Sequence, residues 1–252
     1  MVLIHGFGED HHIWDPLLPY LPEGFQYLIP DLPGSGKEPL PDTGQADPSI
    51  DQLAYFILHL LEEKSITGKA TLIGHSMGGY VALAFAEKYP EKVQALILFH
   101  STAFADSAEK KELRAKSIRF IQEHGAAAFI AQTTPNLFSE AYRQNNPEKL
   151  AGTIAFYSNF SPDALVWYTT AMMNRPERLE VIRKAEFPVG FVIGMLDKAV
   201  DPQQALSLVP LPAISHVQVL ENAAHMGMME ATAETGPFLE KFLLECEMPL
   251  RD

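Results

Sequence analysis

Apolar positions along the chain fall into two alternating patterns. Short unbroken apolar runs, rich in β-branched residues, read as buried strands. They are "VLI" at 2–4, "FQYLIPDLPG" at 25–34 (running into a Pro/Gly turn), 70–74, "VQALILFHS" at 93–101, "PVGFVIGM" at 188–195 and "HVQVLEN" at 216–222. Between them the period lengthens to that of a helix. Ser49 caps a predicted helix to Lys64, with Leu53, Phe56, Ile57, Leu60 and Leu61 on one face. A second runs from about Met77 to Tyr89, where Pro90 stops it, and a last one from about Glu230 to Glu245. Strands that alternate with helices predict a three-layer α/β sandwich around a mostly parallel sheet.

The alternation breaks between positions 102 and 186, which carry few strand signals and read as consecutive helices. "DSAEKKELRAKSIRFIQEHG" opens on a capping Asp or Ser and closes on Gly125. "SPDALVWYTTAMMNR" puts Ser161 at the cap and Pro162 in the first turn. The expected organisation is one α/β core, residues 1–101 and 187–252, with a helical cap inserted at 102–186. No repeat or low-complexity segment interrupts it.

Composition narrows the class. A chain of 252 residues, 47% hydrophobic and 20% charged, is long enough for a sizeable core. A formal charge of −13 argues against nucleic acid and against anionic membrane surfaces as partners. The single cysteine, Cys246, excludes an internal disulfide and a cysteine metal cluster. "MVLIHGFGED" lacks the basic-then-apolar pattern of a signal peptide, and no run reaches membrane-spanning length, so the expected location is cytoplasmic.

The chemistry concentrates where a strand meets a helix, in Gly74-His75-Ser76-Met77-Gly78. A G-x-S-x-G pentapeptide alone is a weak signal; between a strand and a helix it marks a serine on a sharp turn, its hydroxyl exposed as a nucleophile, with Gly74 and Gly78 clearing space around it. The bland reading is a glycine-rich turn whose serine caps a helix. A serine nucleophile needs a base, and the base an orienting carboxylate. His225 lies on a loop between a strand and the last helix and is the candidate base. His5 and His75 sit beside glycine motifs and read as structural, while His11, His12, His59, His100, His124 and His216 have no comparable setting. Asp197 emerges at the end of the 188–195 strand and is the candidate acid; its rival Asp201 reads as the cap of a helix starting at Pro202. The order Ser76…Asp197…His225 suits a doubly wound α/β fold. The oxyanion would be held by the N–H groups of Met77 and of Phe7, the latter in the glycine-rich loop "HGFGED".

Other patterns fail. "DLPGSGKE" has Asp31 where a phosphate loop needs Gly and Glu38 where it needs Ser or Thr. Asp10, His11 and His12 adjoin, but no second cluster completes a metal site. Trp167 is a candidate substrate contact in the helical insertion. Tyr168, Met172 and Met173 beside it fit a pocket wall or helix packing equally.

The motifs His5-Gly6-Phe7-Gly8, Asp31-Leu32-Pro33-Gly34-Ser35-Gly36, Gly74-His75-Ser76-Met77-Gly78-Gly79, Gly194-x-x-Asp197 and His225-x-x-x-x-Glu230 together resemble the α/β-hydrolase superfamily. The resemblance covers nearly all of the chain outside 102–186, and is greatest to the capped branch that includes carboxylesterases. It implies that fold, a Ser–His–Asp triad, a helical cap, a small-molecule substrate and no cofactor. Relatives usually carry two strands before "VLIHG", which implies a six-stranded sheet here with 25–31 at an exposed edge, where two copies could pair. The expected activity is hydrolysis of an ester or related acyl bond in a small, partly apolar molecule. C–C bond hydrolysis, acyl transfer or perhydrolysis, lyase chemistry and a non-catalytic ligand receptor are the alternatives on the same scaffold.

Overall fold

The computed structural model describes residues 1–41 and 47–247. Five parallel strands form its sheet: β1 (Val2–Ile4), β2 (Ala70–His75), β3 (Val93–Phe99), β4 (Val189–Gly194) and β5 (Ser215–Leu220), ordered as in the chain. The register sets Leu3 beside Ile73, Ile73 beside Ile97, Phe99 beside Val192, and Gly194 beside Leu220.

Both faces of β1 to β4 are covered, which is why they are buried at nearly every position and not at alternate ones, whereas β5 at the edge stays partly exposed. Val2, Ile4, Leu72, Leu96, Leu98, Phe191 and Ile193 join one core cluster, with α1 (Ile50–Glu63) and α2 (Met77–Lys88). Leu3, Ile73, Ile97, Phe99 and Val192 point the other way. They meet α10 (Thr232–Glu247) and a 3₁₀ helix at His11–Tyr20. The alternation is the period-2 geometry of a strand. On α1, Leu53, Ile57 and Leu61 are buried as the helical period requires, and the Gln52 side chain accepts the Ser49 N–H at 2.9 Å.

The strand expected at 25–34 does not form. Leu28 alone bridges to Val2, exchanging hydrogen bonds of 2.9 Å with Met1 O and Leu3 N–H. Pro30 and Pro33 lack the N–H groups that would continue the ladder. The described sheet therefore has five strands, and not six. The last helix forms where expected, as α10, and a short α9 (Gly227–Glu230) precedes it.

Between β3 and β4 the described elements are helical: α3 (Ala108–Thr133), α4 (Glu140–Asn145), α5 (Pro147–Tyr157), α6 (Pro162–Asn174) and α7 (Leu179–Arg183). α3 is two helical segments that meet at Gly125 (φ 81°, ψ 172°), so the segment opened by Ser107 closes there as expected and a second runs on to Thr133. Ser107 and Ser161 cap α3 and α6 through their hydroxyls. α3 packs on α6, and buried Arg178, just ahead of α7, ion-pairs with Glu87 on α2 and Asp51 on α1. After β4, α8 (Pro202–Leu208) leads to β5. No helix among the described residues is long and apolar enough to cross a membrane.

Candidate active site

Ser76 ends β2 and opens α2 at φ 51°, ψ −113°, a left-handed backbone for a residue with a side chain. Its N–H donates to Phe99 O at 2.9 Å, and its carbonyl accepts from Ser101 Oγ at 2.7 Å. The neighbouring glycines work differently from the expectation that they clear space around Ser76. A β-carbon on Gly74 would stand 2.3 Å from Gly78 O, and one on Gly78 would stand 2.2 Å from Ile4 O. The space they leave is filled by backbone, so α2 starts pressed against β1 and β2. A β-carbon on Gly79 would stand 2.2 Å from the Ser101 Oγ. Met77, the buried first residue of α2, presents an N–H with no acceptor inside the helix.

Asp197 and His225 are brought together from the loops after β4 and β5. His225 Nδ1 lies 2.7 Å from Asp197 Oδ2, while Asp197 Oδ1 accepts the N–H groups of Ala199 at 2.7 Å and Val200 at 3.0 Å. Burial alone would raise the Asp197 carboxyl; the His225 charge and hydrogen bond, with the His100 ring close by, outweigh it and hold the group far below the usual carboxylate range. Asp201 is exposed and caps α8, accepting Gln203 N–H at 2.8 Å.

The His225 loop is held from two sides. Its N–H donates to Leu137 O at 2.9 Å, and its carbonyl accepts from His75 Nε2 at 3.1 Å. Glu230 gives the His-x-x-x-x-Glu spacing its physical sense. One carboxylate oxygen accepts Ala224 N–H at 3.0 Å and Met226 N–H at 3.3 Å; the other accepts Ser139 N–H at 2.8 Å.

His100, which looked unplaced in the sequence, belongs to this site. Its ring is fully buried at the end of β3, on a backbone of φ 48°. Nδ1 faces Asp197 Oδ2 at 3.5 Å, and Nε2 accepts Gly227 N–H at 3.2 Å. A β-carbon on Gly227 would come 2.3 Å from that nitrogen, and one on Gly194 would come 2.9 Å from Cε1. Burial pushes the ring down to about 4, against the pull of Asp197, so it stays neutral. The only sequence signal was its position at the end of a strand beside the one that carries Ser76.

Phe7 sits in the loop after β1, its ring edge-on to Phe129 of α3 at 6.0 Å. Both rings belong to a small apolar cluster with Ile121, Ile130 and Leu165. Trp167 is buried in α6, and its Nε1 has no hydrogen-bond partner. Tyr168 is no pocket wall: its hydroxyl meets Ser35 Oγ at 3.0 Å and donates to Pro33 O at 2.8 Å, fixing the 31–36 loop. In that loop Asp31 binds His11, and Gly36 packs where a β-carbon would meet Asp31 Oδ2. Asp10, His11 and His12 come within metal-ligand distance of one another, but Asp10 Oδ1 already accepts from His12 N–H at 3.0 Å and Tyr157 Oη at 3.3 Å.

A parallel sheet, a strained serine between strand and helix, and a His–Asp pair on the following strand ends together define the α/β-hydrolase fold. The family model for the alpha/beta hydrolase fold matches residues 1–121. Lipase 3 of Moraxella sp. (strain TA144) is 24% identical over 93% of this chain and 74% of its own length. The pimeloyl-[acyl-carrier protein] methyl ester esterase of Legionella pneumophila (strain Corby) is 25% identical over 96% of this chain and 94% of its own. A thermophilic esterase from Thermogutta terrifontis superposes with a TM-score of 0.90 at 26% identity, covering 98% of this chain and 90% of that one. The family model, the esterase and lipase relatives and the esterase structure together support an α/β-hydrolase fold and an esterase-like hydrolase.

Proposed function

We propose that this enzyme cleaves an ester or related acyl bond of a small, partly apolar molecule through an acyl-enzyme. The observation that carries the reading is the 2.7 Å bond from His225 to a buried Asp197, in a chain that also holds a serine at positive φ between β2 and α2. The His–Asp arrangement is that of a base oriented by an acid, and the half-buried Ser76 is the nucleophile it would serve.

In this reading Ser76 Oγ attacks the carbonyl while His225 Nε2 takes its proton. Asp197 fixes the ring by its Nδ1 and stabilises the imidazolium. The N–H groups of Met77 and Phe7 donate to the oxyanion; Gly6 N–H is already committed to Glu9 at 2.8 Å, which favours Phe7 as the loop's donor. His225 then protonates the leaving alcohol, and water activated by the same ring releases the acyl group. No cofactor enters. The helical segment 102–186 serves as a cap, supported by the Leu137–His225 bond and by Phe129 against Phe7. That apolar cluster favours an apolar acyl or alcohol chain. A cytoplasmic site of action suits the single cysteine.

The test is pre-steady-state hydrolysis of short and medium p-nitrophenyl esters by wild type and Ser76→Ala, with a fluorophosphonate label. Turnover and labelling in wild type, both lost in the variant, support the reading. Labelling without ester turnover would keep the nucleophile and discard the substrate class.

A further inference from the structure

The loop that carries Phe7 is fastened on both sides of one residue, Gly6. Gly6 O accepts from His5 Nδ1 at 2.8 Å, and His5 Nε2 accepts Leu32 N–H at 2.9 Å. His5 is therefore the neutral tautomer with its proton on Nδ1, and its burial opposes charging. The Gly6 carbonyl and the Phe7 N–H belong to the same planar trans peptide and point in opposite directions. Fixing Gly6 O fixes the direction of the Phe7 N–H.

The other side of Gly6 is held by a buried pair. Glu9 Oε2 accepts Gly6 N–H at 2.8 Å and lies 2.9 Å from His75 Nδ1. His75 Nε2 faces the carbonyl of His225 at 3.1 Å. Both ring nitrogens of His75 thus face acceptors, and an acceptor on each side calls for a proton on each side. A β-carbon on Gly6 would stand 2.8 Å from both Glu9 Oε2 and His75 Nδ1, so only glycine fits between loop and pair.

We infer that His5, Glu9 and a doubly protonated His75 form a positioning clamp that aims the Phe7 N–H at the oxyanion and joins that loop to the one bearing His225. The inference rests on the acyl-transfer reading above for its kinetic consequence. The side chains of His75 and Glu9 are 0% and 6% exposed, so water does not screen the pair. Burial opposes charge on each; their mutual attraction overcomes it, raising His75 and lowering Glu9. The other titratable groups facing His75 are His225, with ring centroids 5.0 Å apart, His100 at 6.2 Å, and Asp197, whose charge also favours the imidazolium. His5 and Asp10 complete the surroundings, on the Glu9 side. Trp14 and Phe99 close the remaining faces of the His75 ring edge-on. The clamp spans 66 positions between Glu9 and His75 and 150 between His75 and His225. It is the described route by which the two halves of the site share one rigid frame.

The experiment is nitrogen-15 NMR of the histidine rings in the whole protein, with the His75 signal assigned by its loss in His75→Asn, beside steady-state kinetics of Glu9→Gln. The expected spectrum at neutral pH has both nitrogens of His75 protonated and only Nδ1 of His5. In Glu9→Gln, His75 loses one proton and kcat falls on the order of tenfold to a hundredfold with KM little changed, as for a donor displaced from its target. A singly protonated His75 in wild type overturns the inference, whether or not the variant folds. So does a folded Glu9→Gln whose kcat stays within about twofold of wild type. If wild type labels at Ser76 but turns over no ester, the substrate reading fails instead, and the labelling rate replaces kcat as the measure of the clamp.

Discussion

His225 Nδ1 and Asp197 Oδ2 meet at 2.7 Å although they arrive on different loops, and the second oxygen of Asp197 is saturated by two backbone N–H groups. The carboxylate is thus fixed before the histidine binds to it. Asp197→Asn should lower kcat on the order of 10³- to 10⁴-fold, because the amide cannot favour the same imidazole tautomer. Asp201→Ala should leave kcat unchanged and cost about 1 kcal/mol of stability, the worth of a helix cap. Kinetics and urea melts of the two variants side by side check which aspartate is the acid.

Ser76→Ala should abolish labelling and reduce ester turnover by about 10⁴-fold or more, leaving the melting temperature close to wild type. Mass spectrometry of labelled peptides reads the first, burst kinetics the second. Label found on another residue would sink the assignment.

Gly78 and Gly125 make opposite demands on a side chain. A β-carbon on Gly78 strikes backbone at 2.2 Å, so Gly78→Ala should destabilise by about 3 kcal/mol or more, since neither β1 nor α2 can move aside. Gly125 has open space around it and only its backbone at φ 81°, ψ 172° to object, so Gly125→Ala should cost about 1–3 kcal/mol. Denaturant midpoints measure both.

His100 predicts a pH dependence of stability. Its folded ring is pushed down to about 4 by burial, against an ordinary 6.5. Between those values the unfolded chain binds more protons than the folded one, so stability falls as pH falls from 6.5 toward 4 and is level in this respect above 6.5. The full loss is on the order of 3 kcal/mol. His75 runs the other way, contributing stability below its ordinary value that is lost as pH rises through its raised one. Urea midpoints of wild type minus His100→Asn, taken at each pH, cancel the His75 contribution; a difference that does not change between pH 4 and 6.5 would refute the assignment.

Much of this architecture is written locally. The unbroken apolar runs specify strands covered on both faces, Ser49, Ser107 and Ser161 specify helix starts, and G-x-S-x-G between strand and helix specifies the serine turn. Asp201 reads as a cap because its role is satisfied two residues away. The strand expected at 25–34 misled because its apolar content is right while Pro30 and Pro33 remove the ladder's donors.

What tertiary structure alone decided are relationships between groups far apart in the chain. That Glu9 pairs with His75, that His100 faces Asp197, and that Glu230 reaches Ser139 depends on which strand ends lie side by side. Periodicity reports burial against the whole core, and a residue's own neighbours report its cap or turn; neither carries the identity of a partner brought in by a crossover. The sequence determined that this chain would place a serine on a strained turn above a parallel sheet. The packing of its loops decided that His225 meets Asp197, that His75 meets Glu9 and that His100 lies buried against Asp197.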